Sequence, residues 1–161
     1  MDPDPNQVLL RAVRADDLPV FFTHQSDLVA VQMVAFSRWE PGNRAAFDER
    51  WRHIQTDPGI TARTILLDDR VVGHLVCFPY EGDQEVGYWI ARKYWGRGIA
   101  TRALALFLQD LPMRPLHARV VHDNAGSRRV LEKCGFAQIG LEVAFAEARK
   151  QEVAQIVFRL D

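Results

Sequence analysis

"YWGRGIATRALALF", residues Tyr94 to Phe107, sets two glycines, an arginine and a threonine at the head of an apolar run. Ala103, Leu104, Phe107, Leu108 and Leu111 share one face of the helix that this spacing predicts from about Ile99 to Leu111. A strand, "EVGYWIA" (Glu85 to Ala91), leads into the glycines. Two readings of the loop stand. Small residues let the N–H groups from Arg97 to Thr101 face one concave spot, where the helix start adds partial positive charge for an anion. Alternatively, Gly96 and Gly98 only permit a tight turn. A Walker loop is excluded, because the chain has no Gly-Lys pair. A dinucleotide fingerprint fits poorly, since Thr101 stands where a third small residue is needed.

Outward from this stretch, the elements alternate in a readable order. "QVLLRAV" (Gln7 to Val13) is a strand, and Asp16 or Asp17 caps the helical run after it. The run from Leu18 to Phe36 is broken by polar "THQSD" into two short helices. After the Pro41-Gly42 turn, a helix opens at Asn43 or Arg44, buries Phe47, Trp51 and Ile54, and stops at Asp57 to Gly59. "ARTILLDD" and "RVVGHLVCFPY" form a hairpin ahead of Glu85. Beyond the glycine helix come a strand at Leu116 to His122 and a helix at Ala125 to Cys134 that Gly135 ends. Two strands joined by a charged turn close the chain. The expected architecture is α/β of the α+β type. A mixed, mainly antiparallel central sheet carries one parallel β-α-β unit, with helices on both faces. Ligands are expected where the parallel unit meets the antiparallel strands.

The 161 residues suit a single domain, residues 1–161, able to bury about 70% of its unfolded surface. A net charge of −1 argues against a nucleic-acid partner. No apolar run is long enough for a membrane span, and "MDPDPNQ" resembles neither a signal nor a transit peptide, so cytoplasm is expected. Cys77 and Cys134 are expected as free thiols, and the five histidines show no metal-ligand spacing.

A second segment, "DNAGSRRVLEKCGF" (Asp123 to Phe136), follows the next strand directly. Together with "EVGYWIARKYWGRGIATRAL" it resembles the GNAT superfamily of N-acetyltransferases, in the ribosomal-protein and aminoglycoside branch. Gly98 and Ala100 fill the small positions of the [Q/R]xxGx[G/A] motif, and Asn124, Ser127, Lys133, Gly135 and Phe136 match the second segment. The resemblance implies a GNAT-like fold and acetyl-coenzyme A as co-substrate, with direct attack by a primary amine in a ternary complex. A small-molecule amine or a protein N-terminus would be the acceptor. Relatives pair through the last strands, which implies a possible homodimer. Two departures stand out: Trp95 occupies the [Q/R] position, and Leu131 occupies the place of the general-acid tyrosine. A non-catalytic acyl-coenzyme A-binding module is therefore the alternative.

By resemblance, Trp89, Ile90 and Ala91 bring strand N–H groups to the thioester carbonyl. Trp95, Gly96, Arg97, Gly98, Ile99, Ala100 and Thr101 hold the pyrophosphate. Asn124, Ser127 and Lys133 meet the rest of the cofactor. Glu85, Gly87 and Trp89 share one face of their strand while Tyr88 faces the other, and Gly87 is expected to form a bulge that splays the strand. Candidate catalytic groups are Glu85 as base, Ser127 as proton relay, and Tyr88. Their ordinary readings are a solvated charge, an exposed serine and sheet packing. The acceptor is expected against Met33, Phe36, Arg38 and Trp39.

Overall fold

A computed structural model describes residues 7–36 and 41–161. Seven strands form one sheet: β1 (Val8–Arg11), β2 (Thr61–Leu67), β3 (Arg70–Tyr80), β4 (Asp83–Ile90), β5 (Leu116–Val121), β6 (Ala137–Ala146) and β7 (Gln151–Leu160). Their spatial order is β1-β2-β3-β4-β5-β7-β6. Every neighbouring pair is antiparallel except β4 with β5. The helices are α1 (Leu18–Gln25), α2 (Leu28–Val34), α3 (Arg44–Thr56), α4 (Ile99–Asp110) and α5 (Ala125–Lys133). The mixed sheet, the single parallel pair and the order of elements agree with the sequence.

Two cores form on opposite faces of the sheet. Ile99, Ala103, Leu104 and Phe107 of α4 and Leu131 of α5 bury against Leu75, Val86, Ile90, Leu116, Val120 and Phe158. On the other face Phe21 of α1 and Phe47, Trp51 and Ile54 of α3 pack on Val76. Burying an aromatic of this size contributes about 2–3 kcal/mol. The helical spacing of Phe47, Trp51 and Ile54 is the physical reason that α3 lies flat on the sheet.

Asp17 anchors the start of this second layer. It is 2% exposed and accepts two hydrogen bonds from Arg11 at 2.7 and 2.8 Å. The Arg14 amide adds a third and Thr64 Oγ1 a fourth, at 2.8 and 2.7 Å. One carboxylate thus ties β1, the turn before α1 and β2 together. Asp17 stands at the cap position expected of Asp16 or Asp17, but its side chain bonds back to the Arg14 amide and makes no cap bond to α1.

The parallel pair is short. β4 meets β5 only at Gln84–Leu116 and Glu85–His117, and from Val86 onward the two strands part. The bulge expected at Gly87 is absent, because β4 keeps an unbroken register with β3 from Asp83 to Ile90. The opening comes instead from β5, which follows β7 through all six of its residues, from Leu116 to Val121. A strand whose far edge is held by one continuous ladder need not bulge to leave its other neighbour. Irregular register occurs at Ile65/Leu66 and at Gln138/Gly140. Edge strand β6 carries Ile139, Leu141, Val143 and Phe145 exposed.

Candidate active site

The parting of β4 and β5 leaves the β4 backbone from Val86 to Ile90 without a ladder partner on that side. The alternate groups that point away from β3, those of Tyr88 and the Ile90 amide among them, are obligatory hydrogen-bonding groups facing a gap, which suits an extended polar chain laid alongside. At the end of the gap the chain turns through the glycine loop into α4. Gly96 has φ +75° and Gly98 φ +77°, a left-handed backbone that side chains strain. Gly98 is the residue before α4, and no side chain caps the helix there. The first amides of α4 are therefore open at its positive end. Of the two readings of the loop, this geometry favours the cradle: a turn alone does not call for an uncapped helix start beside a strand gap.

Trp95 takes a part that its sequence position did not suggest. Its indole Nε1 donates to the Ile90 carbonyl at 2.8 Å, so the loop is tied back to the end of β4. Arg97 lies exposed near Tyr94, 5.9 Å from the ring centre, and Arg102 is half-buried in the first turn of α4. Ile99 is fully buried, so its contribution to an anion is confined to its backbone. Ala91, also buried, closes the strand end by donating to the Val72 carbonyl at 2.9 Å. By the alternation of the antiparallel ladder Trp89 also turns its amide toward β3, which leaves Tyr88 and Ile90 as the N–H groups facing the gap.

Across the gap, α5 begins with Asn124, whose side chain accepts from the Ser127 amide at 3.2 Å. Ser127 Oγ lies 2.5 Å from the Tyr88 hydroxyl, and either oxygen can donate. Tyr88 reaches α5 because it faces away from Glu85 on β4, as strand alternation requires. Burial pushes its phenol up to about 12, with the Ser127 bond acting in the opposite direction. The phenol is thus a neutral donor throughout the physiological range. Leu131 is completely buried in the core, and Lys133 is exposed at the far end of α5.

Glu85 sits on the opposite face of β4, 8% exposed, so the reading as a solvated charge fails. It accepts a hydrogen bond from Arg119 Nη1 on β5. Arg119 also forks onto Glu142 of β6 at 3.1 and 3.3 Å and lies 4.6 Å from the centre of the Tyr80 ring. Burial raises the Glu85 carboxyl above its usual 4.5, while Arg119 and His117 pull it back. A buried carboxylate raised in this way is a stronger base than an exposed one.

Met33 and Phe36 lie at the end of α2, both half-buried; Arg38 and Trp39 fall outside the described residues. Phe36 packs beside Ala35, Val121, Ala146 and Val153. Arg149, in the β6–β7 turn, donates to both oxygens of Asp123 at 2.6 and 2.9 Å, to the Gln32 carbonyl at 3.0 Å and to the Met33 carbonyl at 3.5 Å. Gln32 Nε2 returns a bond to the Ala148 carbonyl at 2.6 Å. The end of α2 is therefore fastened next to Asp123 and Asn124. Sequence reading missed Arg119 and Arg149. An inward arginine in the apolar strand "LHARVV" was a legible signal for the first, whereas Arg149 gives none, as one charge among several in a turn.

Among the described residues no group of three or more His, Cys, Asp or Glu is placed to hold a metal, and both cysteines are free. Among the described residues no helix is long and apolar enough to cross a membrane.

The model of the acetyltransferase (GNAT) domain matches residues 7–137. A curated relative, the probable N-acetyltransferase YjcK of Bacillus subtilis (strain 168), is 34% identical over 82 residues, which is 46% of this chain and 45% of that protein. The chain thus matches less than half the length of that relative. Among solved structures, Mycobacterium smegmatis RimJ in complex with CoA-disulfide superposes with TM-score 0.78 at 23% identity, over 95% of this chain and 81% of that one. Spermidine N-acetyltransferase from Vibrio cholerae, in complex with CoA and spermine, gives TM-score 0.78 at 19% identity over 96% of both chains. At these identities the two structures share the fold. The family match covers both the strand gap and the glycine loop, and the chain belongs to the GNAT acetyltransferase family.

Proposed function

We propose that this protein is an acetyl-coenzyme A-dependent N-acetyltransferase in which a primary amine attacks the thioester directly in a ternary complex. The observation that carries the reading is the continuity of the unpaired β4 edge, Val86 to Ile90, with the uncapped start of α4 at Gly98. Edge amides and carbonyls suit a pantetheine arm, and the amides from Arg97 to Thr101 suit its pyrophosphate. Tyr88 and Ile90, whose amides face the gap, would place strand N–H groups where charge develops on the carbonyl oxygen. Asn124 and Ser127 border the other side of the same gap. Lys133, exposed at the end of α5, would reach only the outer phosphate.

Acyl transfer needs a neutral nucleophile. A lysine-like amine, with pKa about 10.4, costs about 4–5 kcal/mol to deprotonate at pH 7, and an α-amine about 1. Glu85 is the proposed base for that proton, and its raised carboxyl favours the role. On the other face of β4, the hydrogen-bonded Tyr88 and Ser127 are proposed to take the place of the tyrosine missing at Leu131. Full transfer from a phenol near 12 to a thiolate of pKa about 8.5 would be uphill by about 5 kcal/mol. The pair is therefore proposed to stabilise the leaving thiolate by donating a hydrogen bond, with solvent supplying the proton. Met33 and Phe36 are proposed to border the acceptor.

The burial of Leu131 favours a second reading, an acyl-coenzyme A-binding module without turnover. Calorimetric titration with acetyl-coenzyme A, followed by thiol-release assays over small amines, a polyamine, an aminoglycoside and N-terminal peptides, separates the two. Binding with turnover supports the enzyme. Binding without turnover on any acceptor supports the module, and no binding overturns both.

A further inference from the structure

On the face of the sheet opposite α4, several buried polar atoms have no partner. His74 Nδ1 lies in β3, and Trp89 Nε1 belongs to the residue directly across from it in β4. His24 Nδ1 and Gln25 Oε1, in the last turn of α1, are equally unpartnered. His74 is 5% exposed and wedged between Phe21 and Trp51, with ring centres 4.6 and 5.0 Å away. Phe21, His24 and Gln25 stand at i, i+3 and i+4, so one face of α1 carries all three over β3 and β4. His24 disfavours charge on His74, and Lys93 does the same to His24. Burial is the larger effect on both and holds them neutral, His74 at about 3.

Buried polar groups in folded proteins are paired in the great majority, and each orphan costs about 1–3 kcal/mol. Four of them lie on α1, β3 and β4 of one face, with Trp51 Nε1 as a fifth on the ring beside His74, and orphans this numerous on one face suit a bound ligand better than packing. The indole N–H groups only donate, but His24 Nδ1, His74 Nδ1 and Gln25 Oε1 accept hydrogen bonds, and these three suit a ligand that brings N–H donors. None of the four side chains is a carboxylate. Asp27, the cap of the adjoining α2, is already engaged by Arg92 at 2.8 Å. An ionised acid would hold an amine as ammonium, whereas uncharged acceptors among aromatic rings favour the free base, the form that attacks.

We propose that His24, Gln25 and His74, with Trp89 beside them, form the receptor for the N–H donors of the acceptor's primary amine. The inference rests on the transferase reading above. It places the amine against α1 and β3, in addition to the end of α2.

The test uses the full chain with saturating acetyl-coenzyme A and thiol release from benzylamine, putrescine, spermine, glycinamide and kanamycin. The variants His24→Leu, Gln25→Leu and His24→Gln are compared with wild type on whichever amine turns over fastest. Each Leu variant is expected to raise the acceptor KM by about fivefold or more, the worth of one hydrogen bond. Acetyl-coenzyme A affinity should stay within about twofold, and the melting temperature should hold or rise, since an orphan is removed. His24→Gln keeps an acceptor atom and should restore most of the loss. An unchanged KM, or a KM loss that tracks a fall in melting temperature and is not rescued by glutamine, overturns the receptor. A wild type that binds acetyl-coenzyme A yet acetylates none of these amines overturns the transferase reading and the receptor with it. Turnover with indifferent variants overturns the receptor alone.

Discussion

Asp17 shows how one side chain can decide both a local turn and the acid limit of the fold. Burial pushes its carboxyl up, but Arg11, the Arg14 amide and Thr64 together hold it below the ordinary 3.8. Stability from this group is present above that value and is lost as pH falls through the lower folded-state pKa. Asp17→Asn is expected to cost about 3 kcal/mol in urea denaturation at pH 7 and to flatten the acid limb below pH 3.8. His74 works in a separate window. It is depressed to about 3 in the fold but protonates near 6.5 when unfolded, so stability is full above 6.5 and falls toward acid. Between pH 6.5 and 5 this predicts a loss of about 2 kcal/mol that His74→Phe removes, measured by denaturation at the two pH values. For catalysis, Tyr88→Phe and Ser127→Ala are each expected to lower kcat about five- to tenfold, with acetyl-coenzyme A affinity little changed. The double variant should lose no more than the worse single, because the two hydroxyls act as one unit. Independent, multiplicative losses would refute that unit.

At the scale of elements, the glycine loop was legible and its fastening was not. The left-handed backbone at Gly98 is dictated locally, since small residues between a strand and an apolar helical run leave few alternatives. Gly98→Val is expected to strain the turn by about 1–2 kcal/mol and to fill the space that a phosphate would enter. Calorimetry should show acetyl-coenzyme A binding reduced about a hundredfold or more while circular dichroism stays native. Trp95 is different. Its indole contact with Ile90 depends on how the loop folds back, which no motif encodes. Trp95→Phe, which removes the donor and keeps the ring, should weaken acetyl-coenzyme A binding about fivefold. Likewise the strand gap was expected, but its cause was assigned to Gly87. The register shows that β5 leaves β4 by keeping to β7.

The whole molecule adds consequences that belong to no single element. Arg119 gathers carboxylates from β4 and β6, strands far apart in the chain, and alternation can only say that it points inward. The β6 edge leaves Ile139, Leu141, Val143 and Phe145 between 53% and 68% exposed in one row. An open strand edge with an apolar row is unusual on a free monomer. Sedimentation velocity is expected to show a dimer for wild type and a monomer for Leu141→Lys combined with Val143→Glu; a wild-type monomer at high concentration refutes the pairing.

Periodicity, caps and the two motif segments determined the order of elements, the mixed sheet, the left-handed turn at Gly98 and the cap at Asn124, because each depends on residues within a few positions of one another. Tertiary structure alone decided that Glu85 is buried against Arg119, that Tyr88 meets Ser127, that Arg149 fastens α2, and that orphaned polar atoms gather around His74. The three bonded contacts join residues between 34 and 117 positions apart, set by how the strands order themselves in the sheet. Local sequence fixes a side chain's direction, and only the packed sheet fixes what it meets.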